Sequence, residues 1–143
     1  MKQFFILLIA AFVAVSCNQN DAKSPAAKQQ AMSDSANYTT LQWVDSAAQD
    51  LGTITQGQIL EVSWRFKNTG NKPLVVSSVS ASCGCTVAEK PEQPVAPGAT
   101  GLIKAKFDSN GHENEQHKEV YVTANTQGTT THNLSFKVNV VKK

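Results

Sequence analysis

From residue 39 onward strand signals dominate, as runs in which apolar and polar side chains alternate with a period of two. In "QILEVSWRFKNTG", Leu60, Val62, Trp64 and Phe66 fall on one face and Glu61, Ser63, Arg65 and Lys67 on the other, which is the pattern of a strand with one buried side. "THNLSFKVNVV" repeats it, with Leu134, Phe136, Val138 and Val140 set against Ser135, Lys137 and Asn139. Gly101, Ile103, Ala105 and Phe107 alternate with Leu102, Lys104 and Lys106, and Val120, Val122 and Ala124 with Glu119, Tyr121 and Thr123. No window carries the helical period.

Turn chemistry separates these runs at "NTGNKP", "PVAPGATG", "DSNG" and "NTQGT", where Gly and Asn accept a positive φ and Pro fixes its own. The spacing predicts about seven strands, at 39–44, 58–67, 73–80, 85–89, 100–107, 117–124 and 132–141, with a further short one near Leu51–Ile54. That is an all-β chain, an immunoglobulin-like antiparallel β-sandwich. No cysteine lies in the second or sixth run, so the inter-sheet disulfide of antibody domains is not available. Packing around Trp64 and Phe66, with Leu60, Val62, Phe136 and Val138, must supply the core.

The first residues read differently. "MKQFFILLIAAFVAVSCNQN" has a positive charge at Lys2, an apolar run from Phe4 to Val15 and small residues up to Cys17, the shape of a secretory signal. The apolar run is well short of the ~20 residues that span a bilayer as a helix. Its ending, "AVSC", resembles the bacterial lipoprotein signal box, which implies a signal peptide over 1–16 and a lipidated Cys17. Several acyl chains would anchor the protein stably, where one alone binds marginally. Asn18, rather than Asp, after that cysteine implies sorting to the outer membrane, facing either the periplasm or the cell surface.

Residues 18–38 hold no aromatic before Tyr38 and one large apolar side chain, Met32. They cannot offset the entropy of ordering, and with Cys17 they read as a flexible tether over 17–38. Twenty such residues span roughly 25 Å root-mean-square, enough to hold a domain over 39–143 clear of lipid head groups. "DSA" occurs at Asp34–Ala36 and Asp45–Ala47 and resembles a short periplasmic O-glycosylation motif, with Ser35 and Ser46 as acceptors. Once Lys2 leaves with the signal, 12 Lys plus Arg face 11 Asp plus Glu, a net charge of +1 with His neutral. Nucleic-acid binding usually shows as a basic stripe, and there is none.

Several short motifs occur in order: Asn68-Thr69-Gly70, Pro73-Leu74, Ser82-Cys83-Gly84-Cys85-Thr86, Pro97-Gly98, Phe107-Asp108 and Asn125. Together they resemble the bacterial domain-of-unknown-function 1573 family, itself similar to hydin-type immunoglobulin-like domains. The resemblance implies a secreted or lipid-anchored protein and brings no established activity. It also leads to the expectation of a glycine just before Lys118, where this chain has Glu115-Gln116-His117.

Cys83 and Cys85 are the remaining chemistry. A bridge between them would close a ring of about three residues and contribute roughly 1.6 kcal/mol, against ~3 to 5 for a long loop, so stapling is a poor reason to keep them. In extended chain, residues i and i+2 lie roughly 6.5 to 7 Å apart, at the limit for a bridge, so closure needs a bend at Gly84. A bridge in so small a ring should be reducible, which makes redox exchange sensible. As thiolates the pair would instead hold Cu or Zn, with His112 and His117 completing the shell. Burial as a packing pair is the third reading. Because successive strands reverse, residues 81–85 and 109–116 are expected at the same end of the sandwich.

No Gly-x-Ser-x-Gly, phosphate-cradling loop or His-Glu-x-x-His is present, so the chain is expected not to be an enzyme, a thiol redox role apart, and to carry no resident cofactor. The tether and sandwich imply a lipid-anchored envelope module that binds or assembles with a protein or glycan. The alternative is a redox or soft-metal lipoprotein working through Cys83-Gly84-Cys85.

Overall fold

Each of the four alternating runs forms a strand whose apolar face is buried. The computed structural model describes Gln30 and residues 32–143; the signal sequence, Cys17 and most of the tether lie outside the described residues. A 3₁₀ turn at Ser35–Asn37 is followed by β1 (Leu41–Trp43), β2 (Ala48–Thr55), β3 (Ile59–Asn68), β4 (Val76–Ala81), β5 (Thr86–Glu89), β6 (Thr100–Asp108), β7 (Asn114–Ala124) and β8 (Thr131–Val141). They form two four-stranded sheets, ordered β1-β3-β6-β5 and β2-β8-β7-β4. The result is an immunoglobulin-like sandwich.

Register sets the core. β3 and β6 pair Val62 with Ala105, Trp64 with Ile103 and Phe66 with Gly101, and β7 and β8 pair Val120 with Leu134 and Lys118 with Phe136. The two inner faces meet through Trp64 and Phe107, whose rings lie 6.3 and 6.1 Å from that of Phe136. Trp64, Phe66, Phe107 and Leu134 are fully buried. Leu60, expected with them, is only half-buried, because it lies at the end of β3 where the second sheet no longer covers it fully.

Among the described residues eight strands form rather than about seven, and β2 is the addition. The short strand expected near Leu51–Ile54 extends over eight residues and runs parallel to β8, so the sandwich is not wholly antiparallel. Between Asp50 and Thr53 the register shifts, with two residues of β2, Leu51 and Gly52, opposite one of β8, Val138, and Gly52 adopts φ 70° there. A bulge of this kind resets the parity, so Leu51 and Ile54 both pack on the core although they are three residues apart. The chain enters β2 from the other sheet within three residues, since Val44 N donates to Arg65 O and Ala47 O accepts from Ser135 N.

The sandwich's contacts also begin earlier than residue 39. Asp34 caps the 3₁₀ turn by accepting from Ala36 N, Tyr38 Oη donates to Met32 O, and Asn37 O accepts from Asn125 Nδ2 at 2.7 Å. Ser35 is exposed in that turn. Ser46 is exposed in the sheet crossing and donates to Ala48 O.

Candidate functional site

The Cys-Gly-Cys segment is the link by which the chain leaves β4 in one sheet and enters β5 in the other. β4 ends with Ala81 opposite Val120, and Ser82 continues the ladder: its N donates to Glu119 O and its Oγ accepts from Glu119 N. Beyond the link, Asp108 N donates to Cys85 O at 3.0 Å. Both ends of the segment are therefore held by backbone hydrogen bonds.

Within it, Cys83 and Cys85 are joined by a disulfide, with their Cα atoms 5.3 Å apart. The bend at Gly84 does not enter the left-handed region. A Cβ added there would meet nothing within 4 Å, so the tip of the turn is open. Both cysteines are partly buried. The buried hydroxyl of Thr86 lies 3.6 Å from Cys83 Sγ and 3.9 Å from Cys85 Sγ.

Around this turn is an open cleft of about 470 Å³, lined by Ile59, Cys85, Val87, Lys106, Asp108 and His112 among others. Residues 81–85 and the link after β6 thus share one end of the sandwich. Ile59 is 67% exposed and Val87 62%, although both are large and aliphatic. They stand on the outward face: Ile59 pairs with Asp108, and Glu61, Lys106 and Val87 form the next cross-strand row. Lys106 bridges Glu61 at 3.2 Å, and this contact raises its pKa.

His112 reaches this end. Its N donates to Ser109 O, its O accepts from Gln56 Nε2, and its ring lies 5.3 Å from that of Phe107. His117 does not. It sits on the outward side of β7 opposite Lys137, exposed, with Nε2 2.8 Å from Glu115 Oε1. The set of Cys83, Cys85, His112 and His117 is therefore not assembled: the sulfurs are spent on each other, and strand alternation turns His117 away. Among the described residues, no group of three or more His, Cys, Asp or Glu side chains is placed to hold a metal ion.

Sequence reasoning missed three residues here. Ile59 and Val87 carry a readable signal, an aliphatic side chain at the polar parity of its strand. Lys118 carries the reverse one, a lysine at the apolar parity of β7. It is only 8% exposed, and its ammonium lies over the Phe107 ring, 5.2 Å from the centroid, a favourable cation–π arrangement. The expected glycine before Lys118 has no place, because Glu115-Gln116-His117 is already strand. Gly111 and Asn114 take the positive φ values of the preceding turn instead.

The two sheets and their link define an immunoglobulin-like domain. The chain is similar to the ASH/PapD-like domain 7 of human CEP192, with a TM-score of 0.55 and 8% identity over 75% of this chain and 89% of that one. A protein of unknown function from Porphyromonas gingivalis W83 is also similar, with a TM-score of 0.64 and 16% identity over 74% of this chain and 49% of that one. So is the secreted serine protease VesC from Vibrio cholerae, with a TM-score of 0.54 and 14% identity over 71% of this chain and 23% of that one. The chain matches about half the length of the Porphyromonas protein and less than a quarter of VesC, and at these identities the likeness is one of fold. No curated protein matches it. Residues 42–140 match the family described as "Protein of unknown function (DUF1573)", and the chain belongs to that family.

The motifs that mark the family are partly structural. Buried Asn68 accepts from Thr39 Oγ1 and Gly70 N, and donates to Lys72 O and Val95 O. Asn125 accepts from Val75 N and donates to Asn37 O and Pro73 O. Each ties together loops that have no ladder of their own. Of the motif residues, Gly84, Cys85 and Asp108 line the cleft.

Proposed function

We propose that the chain is a lipid-anchored module of the bacterial cell envelope, held at the outer membrane through Cys17, which binds a protein segment at the disulfide-bearing end of its sandwich. The observation that carries this reading is the pair of exposed aliphatic side chains, Ile59 and Val87, on the two sides of one cleft. Leaving both in water has a cost that covering them removes.

An extended peptide suits the cleft better than a glycan does. β5 is an edge strand, able to take a further strand through its backbone, and Val87 would flank that strand's outward side chains. No Trp, Tyr or Phe lines the cleft, so it lacks the flat ring face on which a sugar stacks. The signal-like start and the "AVSC" ending support the anchor. The tether's length lets the domain reach partners away from the lipid surface.

A photo-crosslinking residue placed at position 87 of the full chain, in cells, tests this. The expected result is a discrete, protease-sensitive adduct that Ile59→Asp abolishes and that position 141, also exposed but on the other sheet, does not give. The same adducts from both positions, or none from 87, would overturn the reading. A protease-resistant adduct removed by glycosidases would replace the protein partner with a glycan.

A further inference from the structure

We propose that the Cys83–Cys85 bridge accepts two electrons from a dithiol of a partner protein, Cys85 Sγ being the atom attacked and Cys83 the leaving thiolate. This goes beyond the binding reading and does not rest on it.

The bridge has little to hold. Its ring contains three residues, and both flanks are fixed without it: Ser82 to Glu119 on β7, Thr86 N to Cys83 O, and Cys85 O to Asp108 N on β6. A disulfide of such short span constrains the unfolded chain weakly. When it opens, the same hydrogen bonds keep the two thiols together, ready to close again.

Access differs between the two sulfurs' residues. Cys85 and Gly84 line the open cleft, whereas Cys83 does not, and nothing stands within 4 Å of where a Gly84 side chain would be. A thiolate attacks one sulfur of a disulfide and expels the other. Entry through the cleft therefore leads to Cys85.

The expelled sulfur is provided for. Thr86 Oγ1 is within 3.6 Å of Cys83 Sγ and can donate to it. Thr86 is the register partner of Phe107, over whose ring the Lys118 ammonium rests. A hydroxyl donor favours a thiolate, and a better leaving thiolate makes exchange faster.

The step balances without a further reagent. One partner thiolate forms a bond to Cys85 Sγ as the Cys83–Cys85 bond breaks, leaving Cys83 as thiolate. The partner's second thiol, as thiolate, then attacks its own sulfur in the mixed disulfide and releases Cys85. The partner leaves as a disulfide, two electrons poorer, and its two protons pass to the cysteine pair.

The probe is a reduced Cys-x-x-Cys peptide mixed with the full chain carrying Cys17→Ser. The expected result is equimolar exchange: protein two daltons heavier, peptide two daltons lighter, circular dichroism unchanged. With glutathione disulfide as reagent, Cys83→Ser should form the mixed adduct about tenfold faster than Cys85→Ser. In the Cys85→Ser background, Thr86→Val should move the pH midpoint of Cys83 alkylation upward, and Thr86→Ser should restore it. A bridge left intact by excess peptide that does reduce glutathione disulfide would overturn the proposal. Equal or reversed rates for the two serine variants would overturn the assignment of the attacked sulfur. An unmoved alkylation midpoint would remove Thr86 from it.

Discussion

The ring of Phe66 occupies the space that a side chain on Gly101 would need. The two are register partners across β3 and β6, and a Cβ on Gly101 would lie 2.2 Å from Phe66 Cζ. Trp43 closes over the same ring edge-on at 5.7 Å, so the ring cannot swing aside freely. Gly101→Ala should therefore destabilise the protein by ~1 to 3 kcal/mol, the usual cost of overpacking. Urea unfolding checks the value. Combining it with Phe66→Leu should cost less than the sum of the two single changes, because the pair shares one space.

Asn68 and Asn125 should be as sensitive as core residues although both are polar. Replacing Asn68 with Ala would leave Gly70 N, Lys72 O, Val95 O and the Thr39 hydroxyl without the partner they now share. Unsatisfied buried groups cost about 1 to 3 kcal/mol each, so a loss of at least ~2 kcal/mol is expected for either Asn→Ala change. Hydrogen exchange at Gly70 N and Val75 N should rise before global unfolding does.

Asp45 gives stability a defined acid limb. Hydrogen bonds from the Arg65 side chain and backbone N hold its carboxyl down at about 2, and the same contact raises the pKa of Arg65. A carboxylate depressed on folding contributes fully above its unfolded value, about 3.9, and loses that contribution as pH falls through its folded value. The fall in stability between pH 5 and pH 2 should therefore be shallower in Asp45→Asn than in the parent. It should not vanish, because Lys137 lowers the pKa of Asp50, and Tyr121 with Asn133 lowers that of Glu119. Equal slopes for the two proteins would show that the pair does not survive in solution.

The fold was legible wherever alternation was strict. β3, β6, β7 and β8 follow from period two alone, because each buries one whole face. β2 was seen only as a fragment, since the bulge at Gly52 breaks the parity on which such reading depends. The site was half legible. Cys83, Cys85 and His112 share one end of the sandwich because strand reversal requires it, whereas His117 was misplaced because β7 begins three residues earlier than expected. Ile59, Val87 and Lys118 each violate the pattern of their own strand, and it is such violations that mark this end of the molecule.

The proposed anchor makes a separate prediction. Cys17→Ser should move the full chain from the membrane fraction to the soluble one, since the "AVSC" ending is the feature that supports attachment. Membrane retention of the variant after a high-salt wash would place the attachment elsewhere in the chain.

Removing the bridge should barely weaken the fold. With a sequence separation of two, the closed ring is so small that loop-closure entropy gives roughly 1.6 kcal/mol at most. The flanking hydrogen bonds from Ser82, Thr86 and Asp108 do not depend on it. Cys83→Ala combined with Cys85→Ala should then cost about 1 to 2 kcal/mol, a few degrees in Tm for a domain of this size, and the parent should lose a similar amount on full reduction. A loss of ~4 kcal/mol or more would mean that the cysteines hold the link between β4 and β5 in place. That result would turn the pair into a structural staple and remove the reason for assigning it any chemistry.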